Sequence, residues 1–101
     1  MQSQVFIGTS GCVLCLSAHS GQELWRTPLE HSALGANAHK DVTVLDDEDH
    51  VFAGSSGHLY CLDAKTGEIL WKNDLKGLGF QNISISINGS AIEILTKIEP
   101  M

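Results

Sequence analysis

Three cysteines, five histidines and one run of acids are the side chains best suited to chemistry in this chain. Cys12-Val13-Leu14-Cys15 has the C-x-x-C spacing of zinc and thiol-redox sites, where both sulfurs must converge. The segment reads as a strand, however, and strand residues three apart point to opposite faces. No second cysteine pair follows at finger spacing. An odd cysteine count also argues against a disulfide framework. The expected role is structural.

The histidines are His19, His31, His39, His50 and His58, and none forms an H-E-x-x-H or H-x-H pair. His19 and His50 fall in expected turns and His31 and His39 in a loop, so all four read as solvated. His58 starts an inner strand and is the first of them to examine. Asp46-Asp47-Glu48-Asp49 could attract calcium, but such a site needs converging oxygens and a glycine that bends the loop. Four consecutive acids in a short hairpin cannot all point inward, so the run reads as a solvated turn that discourages edge pairing. There is no Gly-rich phosphate loop, no G-x-S-x-G and no basic-aromatic strip. Neither catalysis, a metal nor a cofactor is expected from these residues.

These groups sit in 101 residues, which allow one domain at most. The net charge of −6 and the six scattered basic residues argue against a nucleic-acid or anionic-membrane surface. No apolar run is long enough for a membrane-spanning helix. The start, MQSQVFIGTS, lacks the basic and apolar regions of a signal peptide, so the cytoplasm is the default expectation. That start enters directly on a strand-like run, so a fragment of a larger protein is expected. The Asn82-Ile83-Ser84 and Asn88-Gly89-Ser90 sequons read as chance, since nothing else points to secretion.

The organising feature is a repeat with a period of 46 residues. Val5-Phe6 matches Val51-Phe52, Gly8 matches Gly54, and Ser10-Gly11 matches Ser56-Gly57. Cys15-Leu16 matches Cys61-Leu62, Ala18 matches Ala64, and Gly21 matches Gly67. Leu24-Trp25 matches Leu70-Trp71, and Leu29 matches Leu75. The 25 ungapped pairs contain 12 identities, and a period of ~40–50 residues is the blade length of β-propellers. In the second copy, short strands are expected over Val42–Leu45, Val51–Ala53, His58–Leu62 and Glu68–Trp71, joined by Gly/Asp/Ser turns in an antiparallel meander.

Val13-Leu14-Cys15-Leu16 and Leu59-Tyr60-Cys61-Leu62 are apolar at successive positions, so both faces of these strands should be covered. A one-sided antiparallel sheet would alternate instead. Stacked blades therefore fit best, with a sandwich as the other solution. Ile83-Ser84-Ile85-Ser86-Ile87 alternates strictly, Asn88-Gly89 favours a tight hairpin turn, and Ala91–Leu95 returns. The expected organisation is one all-β domain over 1–101: an incomplete ring of four-stranded antiparallel propeller blades. Blade repeat 1 spans 5–29, blade repeat 2 spans 42–75, and the hairpin of a partial third blade spans 83–95.

Cys61-Leu62-Asp63-Ala64-Lys65-Thr66-Gly67-Glu68-Ile69-Leu70-Trp71 resembles the tryptophan-docking repeat of the pyrroloquinoline-quinone (PQQ) propeller superfamily, the quinoprotein alcohol dehydrogenase-like proteins. That repeat runs Ala-x-Asp-x-x-Thr-Gly-x-x-x-Trp. Asp63, Thr66, Gly67 and Trp71 match, and Cys61 replaces the usual Ala. In the first copy Ser20, Gly21 and Trp25 fit, while Cys15 replaces Ala and Ser17 replaces Asp. The resemblance implies that each Trp packs on the neighbouring blade near its Gly turn, braced by the Asp and Thr. Gly21, Trp25, Asp63, Thr66, Gly67 and Trp71 would then form a structural docking motif.

Active PQQ dehydrogenases of this superfamily carry a full propeller, a calcium-binding set, a catalytic Asp and often a Cys-Cys pair, none of which can be placed here. The leading expectation is therefore a non-catalytic scaffold or interaction module, with Glu30–Asp41 and Lys76–Phe80 as the candidate binding loops. The alternatives are a piece of a PQQ-dependent dehydrogenase whose catalytic blades lie outside this chain, and a propeller appended to an unrelated enzyme. Two blades alone expose apolar faces and unpaired edges, so self-association or another protein partner is expected. A buried Trp71 predicts a loss of ~3–5 kcal/mol for Trp71→Ala, read as a fall in melting temperature.

Overall fold

A computed structural model describes residues 3–29, 41–79 and 83–88. They form two antiparallel sheets and no helix. The first sheet contains β1 (Gln4–Thr9), β2 (Cys12–Ser17) and β3 (Glu23–Pro28) in sequential order. The second contains β4 (Thr43–Asp47), β5 (His50–Ser55), β6 (His58–Asp63) and β7 (Ile69–Asn73), also in sequential order.

The turns explain the meander. Ser10-Gly11 and Ser56-Gly57 join β1 to β2 and β5 to β6, and all four residues have positive φ. Two-residue hairpin loops of this kind match the twist of the flanking strands. The loop between β4 and β5 is also two residues long, Glu48-Asp49. It is tighter than the expected turn over 46–50, because Asp46 pairs with Val51 and Asp47 with His50. His50 therefore opens a strand, and its Nδ1 and the Asp47 Oδ2 are buried without a hydrogen-bond partner.

The sheets stack face to face. Val13 and Leu29 of the first blade meet Val42, Val51, Ala53, Tyr60, Leu62 and Ala64 of the second, with Phe6, Trp25 and Val44 packed against them. The approach is close at Gly8: a Cβ there would lie 2.6 Å from the Val42 carbonyl oxygen. Only a residue without a side chain lets the chain enter the next blade there.

The expected two-sided coverage is more complete in the second blade, where Leu59 alone of the four expected residues is half-buried. In β6, Tyr60, Cys61 and Leu62 are all buried. In β2, Val13 and Cys15 are buried while Leu14 and Leu16 are only half-buried. The first blade has a neighbour on one face among the described residues, and the second has neighbours on both. On its far face, Gly54 meets Ile83, and Thr43 Oγ1 donates to the Ile83 carbonyl (2.8 Å). Ile83, Ile85 and Ile87 are half-buried and Ser84, Ser86 and Asn88 exposed, as the alternation predicts, but residues 83–88 pair with no neighbour among the described residues as the expected strand of a third blade would. The return strand expected over 91–95 lies outside the described residues.

Each blade contains the same cross-strand row. Phe6 pairs with Cys15 and Cys15 with Trp25; Phe52 pairs with Cys61 and Cys61 with Trp71. The two rings in each row lean together over the sulfur, with centroids 6.1 Å apart in both blades. The cysteine is the small residue that lets them meet, which is why it repeats.

Burial raises the pKa of both Cys15 and Cys61. For Cys61 burial acts first and the Asp63 charge adds to it, pushing the thiol up to about 11 from an ordinary 9.0. The neutral thiol is thus the form the fold holds, and these sulfurs are poor nucleophiles at neutral pH. An unfolded chain ionises first, so stability is intact below the ordinary thiol pKa and lost as pH rises from 9.0 toward about 11. Urea midpoints should fall across that window, and Cys61→Ala should flatten the fall.

Candidate functional site

Two long-range side-chain hydrogen bonds converge on one turn. After β6 the chain reverses through Asp63-Ala64-Lys65-Thr66-Gly67. Asp63 Oδ1 accepts from the backbone N–H of Lys65 (2.7 Å) and Thr66 (3.2 Å). Thr66 Oγ1 accepts from the Glu68 N–H (3.2 Å). The Gly67 N–H donates to the Asp63 carbonyl (2.8 Å), and the Asp63 N–H donates to the Glu68 carbonyl (2.8 Å). The short side chains replace the hydrogen bonds a strand ladder would supply. Gly67 is left at φ +81° with no side chain on its outer surface.

Trp25 of the first blade occupies that surface. Its Nε1 donates to the Ala64 carbonyl (3.0 Å). A Cβ on Gly67 would lie 2.5 Å from its Cε3 and 2.6 Å from its Cδ2. Two residues on, Thr27 Oγ1 donates to the Gly67 carbonyl (2.7 Å). A β-bulge aims the ring: Cys15 faces Trp25 but Leu16 faces Glu23, leaving Leu24 out of register. Bulges re-aim side chains in this way. The same bulge recurs between Cys61 and Leu62 and displaces Leu70. Nothing in residue type alone announces it.

The first copy builds the same turn with different donors and acceptors. Ser17 Oγ replaces the Asp63 carboxylate, accepting from the N–H of His19 (3.2 Å) and Ser20 (3.3 Å). Ser20 Oγ accepts from the Gln22 N–H (3.2 Å), as Thr66 does from Glu68. The Gly21 N–H donates to the Ser17 carbonyl (2.7 Å), and φ at Gly21 is +79°. Here, however, a Cβ would meet nothing within 4 Å. An open cleft of about 600 Å³ lies against this turn, lined by Ser17, Ala18, Ser20 and Gln22 among others.

Trp71 is the counterpart of Trp25 but has a different environment. It leans on Phe52 and is 38% exposed. The expectation of a deeply buried Trp71 therefore fails among the described residues, because the blade that would cover it is not among them. The large loss expected for Trp71→Ala moves to Trp25→Ala.

The residues considered for chemistry do not converge. Cys12 is half-buried and Cys15 buried, and none of the three cysteines is in a disulfide. His58 Nδ1 lies 3.0 Å from Asp74 Oδ1, and Lys72 Nζ lies 3.3 Å from the same oxygen. A hydrogen bond from Lys72, followed by His58, lowers the Asp74 pKa. His31 and His39 lie outside the described residues. Among the described residues no three His, Cys, Asp or Glu side chains gather as a metal ion would require. No helix among them is long and apolar enough to cross a membrane.

Antiparallel meanders stacked face to face, with an indole from one seated on the glycine turn of the next, are blades of a β-propeller, with no closed ring among the described residues. Residues 2–88 match the PQQ-repeat family model described as outer membrane protein assembly factor BamB. The chain belongs to that PQQ-repeat family. No curated protein matches it.

Gly67→Ala and Gly21→Ala should separate docking from turn geometry. Both put a side chain at positive φ, which costs ~1–2 kcal/mol. Only Gly67→Ala also drives a Cβ into Trp25. Its denaturation midpoint should therefore fall further, by an added ~1–3 kcal/mol for overpacking. Equal losses would show that the indole does not depend on that surface.

Proposed function

We propose that this chain is a non-catalytic propeller scaffold that presents blade surfaces and loops to a protein partner. The observation that supports it most is what the repeat is made of. The residues shared by the two copies build turns, rows and docking contacts: Gly21 and Gly67, Cys15 and Cys61, Trp25 and Trp71. Gly21, Trp25, Asp63, Thr66, Gly67 and Trp71 are read together as a structural docking motif. The family's description names an assembly factor for outer membrane proteins, which favours protein contact over chemistry.

The surface available for such contact includes the loop after β7. Gly77 and Gly79 both hold positive φ, and Leu78 between them is 72% exposed. A large apolar side chain held out between two glycines is a natural contact point. The other expected loop, Glu30–Asp41, lies almost wholly outside the described residues.

Titration with PQQ and calcium tests this against a redox role. Tryptophan fluorescence should stay unquenched and no dye should be reduced. Saturable quenching with dye reduction would make the chain part of a quinone dehydrogenase instead.

A further inference from the structure

The two ends of this blade pair are the two halves of one interface. Between the blades, the first supplies the indole of Trp25, and the second supplies the Gly67 turn, the Ala64 carbonyl and an apolar face. By the 46-residue repeat, the second blade's outer side is a copy of the supplying half and the first blade's outer side a copy of the accepting half. Ala64 is 2% exposed under Trp25, whereas Ala18 is exposed. Val51 is fully buried, whereas Val5 is 43% exposed. Leu62 is fully buried, whereas Leu16 is half-buried.

Both halves are already shaped. Trp71 leans on Phe52 at the same 6.1 Å centroid separation that Trp25 keeps with Phe6 in the formed interface. The ring tilts are also similar, 39° for Trp25 on Phe6 and 49° for Trp71 on Phe52. The Gly21 turn has the φ and hydrogen bonds of the Gly67 turn, with open space where Trp25 sits in the other copy. The accepting face keeps its bulk as well. The cross-strand pair Ala53–Tyr60 is replaced by Ile7–Leu14, one residue larger and its partner smaller. Asn73 stands where Thr27 donates to the Gly67 carbonyl, and its amide is also a donor.

On the supplying side, Ile83 meets Gly54 as Val42 meets Gly8. Among the described residues, the glycine turn of this kind that receives no indole is Gly21.

We propose that a second copy of this chain docks head-to-tail, with Trp71 of one copy seated on the Gly21 turn of the next, its Nε1 donating to the Ala18 carbonyl. The contact is heterologous, so it repeats from copy to copy until a ring closes. This deepens the interaction-module reading by naming the partner.

Sedimentation of the full chain and two variants tests it. Trp71→Ala removes the supplied ring. Gly21→Asn fills the space where the ring sits, and Asn tolerates positive φ. The wild type should form species larger than 10.9 kDa that grow with concentration. Each variant alone should remain monomeric. An equimolar mixture should recover a 1:1 dimer that grows no further, because each variant keeps the half the other lacks. Trp71→Phe should weaken association about fivefold by losing one hydrogen bond. If Trp71→Ala or Gly21→Asn loses its far-ultraviolet sheet signal, Trp71→Leu mixed with Gly21→Ala is read in the same way. A monomeric wild type, undiminished association in both single variants, or a mixture of folded variants that stays monomeric would overturn the proposal. Quinone binding by a chain that still associates through Trp71 would retract the scaffold reading alone.

Discussion

The seat of one indole on one glycine organises this structure. Trp25 can approach the second blade only because Gly67 has no Cβ, and Gly67 can turn there only because its backbone tolerates a φ of +81°. Asp63 and Thr66 fix that turn from below, and the bulge at Leu24 delivers the ring from above. Cys15 is small enough for Phe6 to support the ring from behind. Any one of these alone is an ordinary local feature. Together they set the spacing of two sheets, and the apolar core between them fills at that spacing. Gly8 against Val42 sets the same spacing at a second point, where a Cβ would run into the Val42 carbonyl.

The two copies show which parts of the motif are interchangeable. Ser17 performs the work of Asp63 at slightly longer distances, and Ser20 that of Thr66. The turn needs an acceptor at the first position, and a hydroxyl or a carboxylate will do. Glycine at the fifth position is not interchangeable where an indole must land. The Asp63 charge adds to the rise in the Cys61 pKa, which Cys15 beside Ser17 is spared. Titration thus differs between two sites that packing makes alike.

Much of this was legible in the sequence because the repeat compares the chain with itself. The paired positions picked out the glycine turns, the cysteine row and the tryptophans without further information. The acidic hairpin was read too wide, since Asp46 and Asp47 are strand residues by pairing and not by composition. The bulges at Leu24 and Leu70 were invisible, because a register shift leaves no mark on residue type. Trp71 was read as buried because identity between copies was carried over to identity of surroundings. A repeat fixes what each blade offers, but burial depends on what stands beside it. The open cleft at Gly21 was missed for the same reason.

That distinction bears on how such a chain avoids or achieves association. The two blades built on this repeat carry the same tryptophan, alanine and turn glycine at their half-interfaces, so the proposed docking draws on the contact already formed between them. Discrimination between the correct neighbour and another copy must then come from positions that differ between repeats. Few of these touch the docking contact. Ile7–Leu14 against Ala53–Tyr60 redistributes bulk within one pair, and Asn73 against Thr27 exchanges one donor for another. Neither substitution introduces a like charge or an unpaired buried group, which are the usual means of rejecting a partner. Among the described residues, the blade faces are therefore built to be covered, and little in them opposes a second copy as the cover.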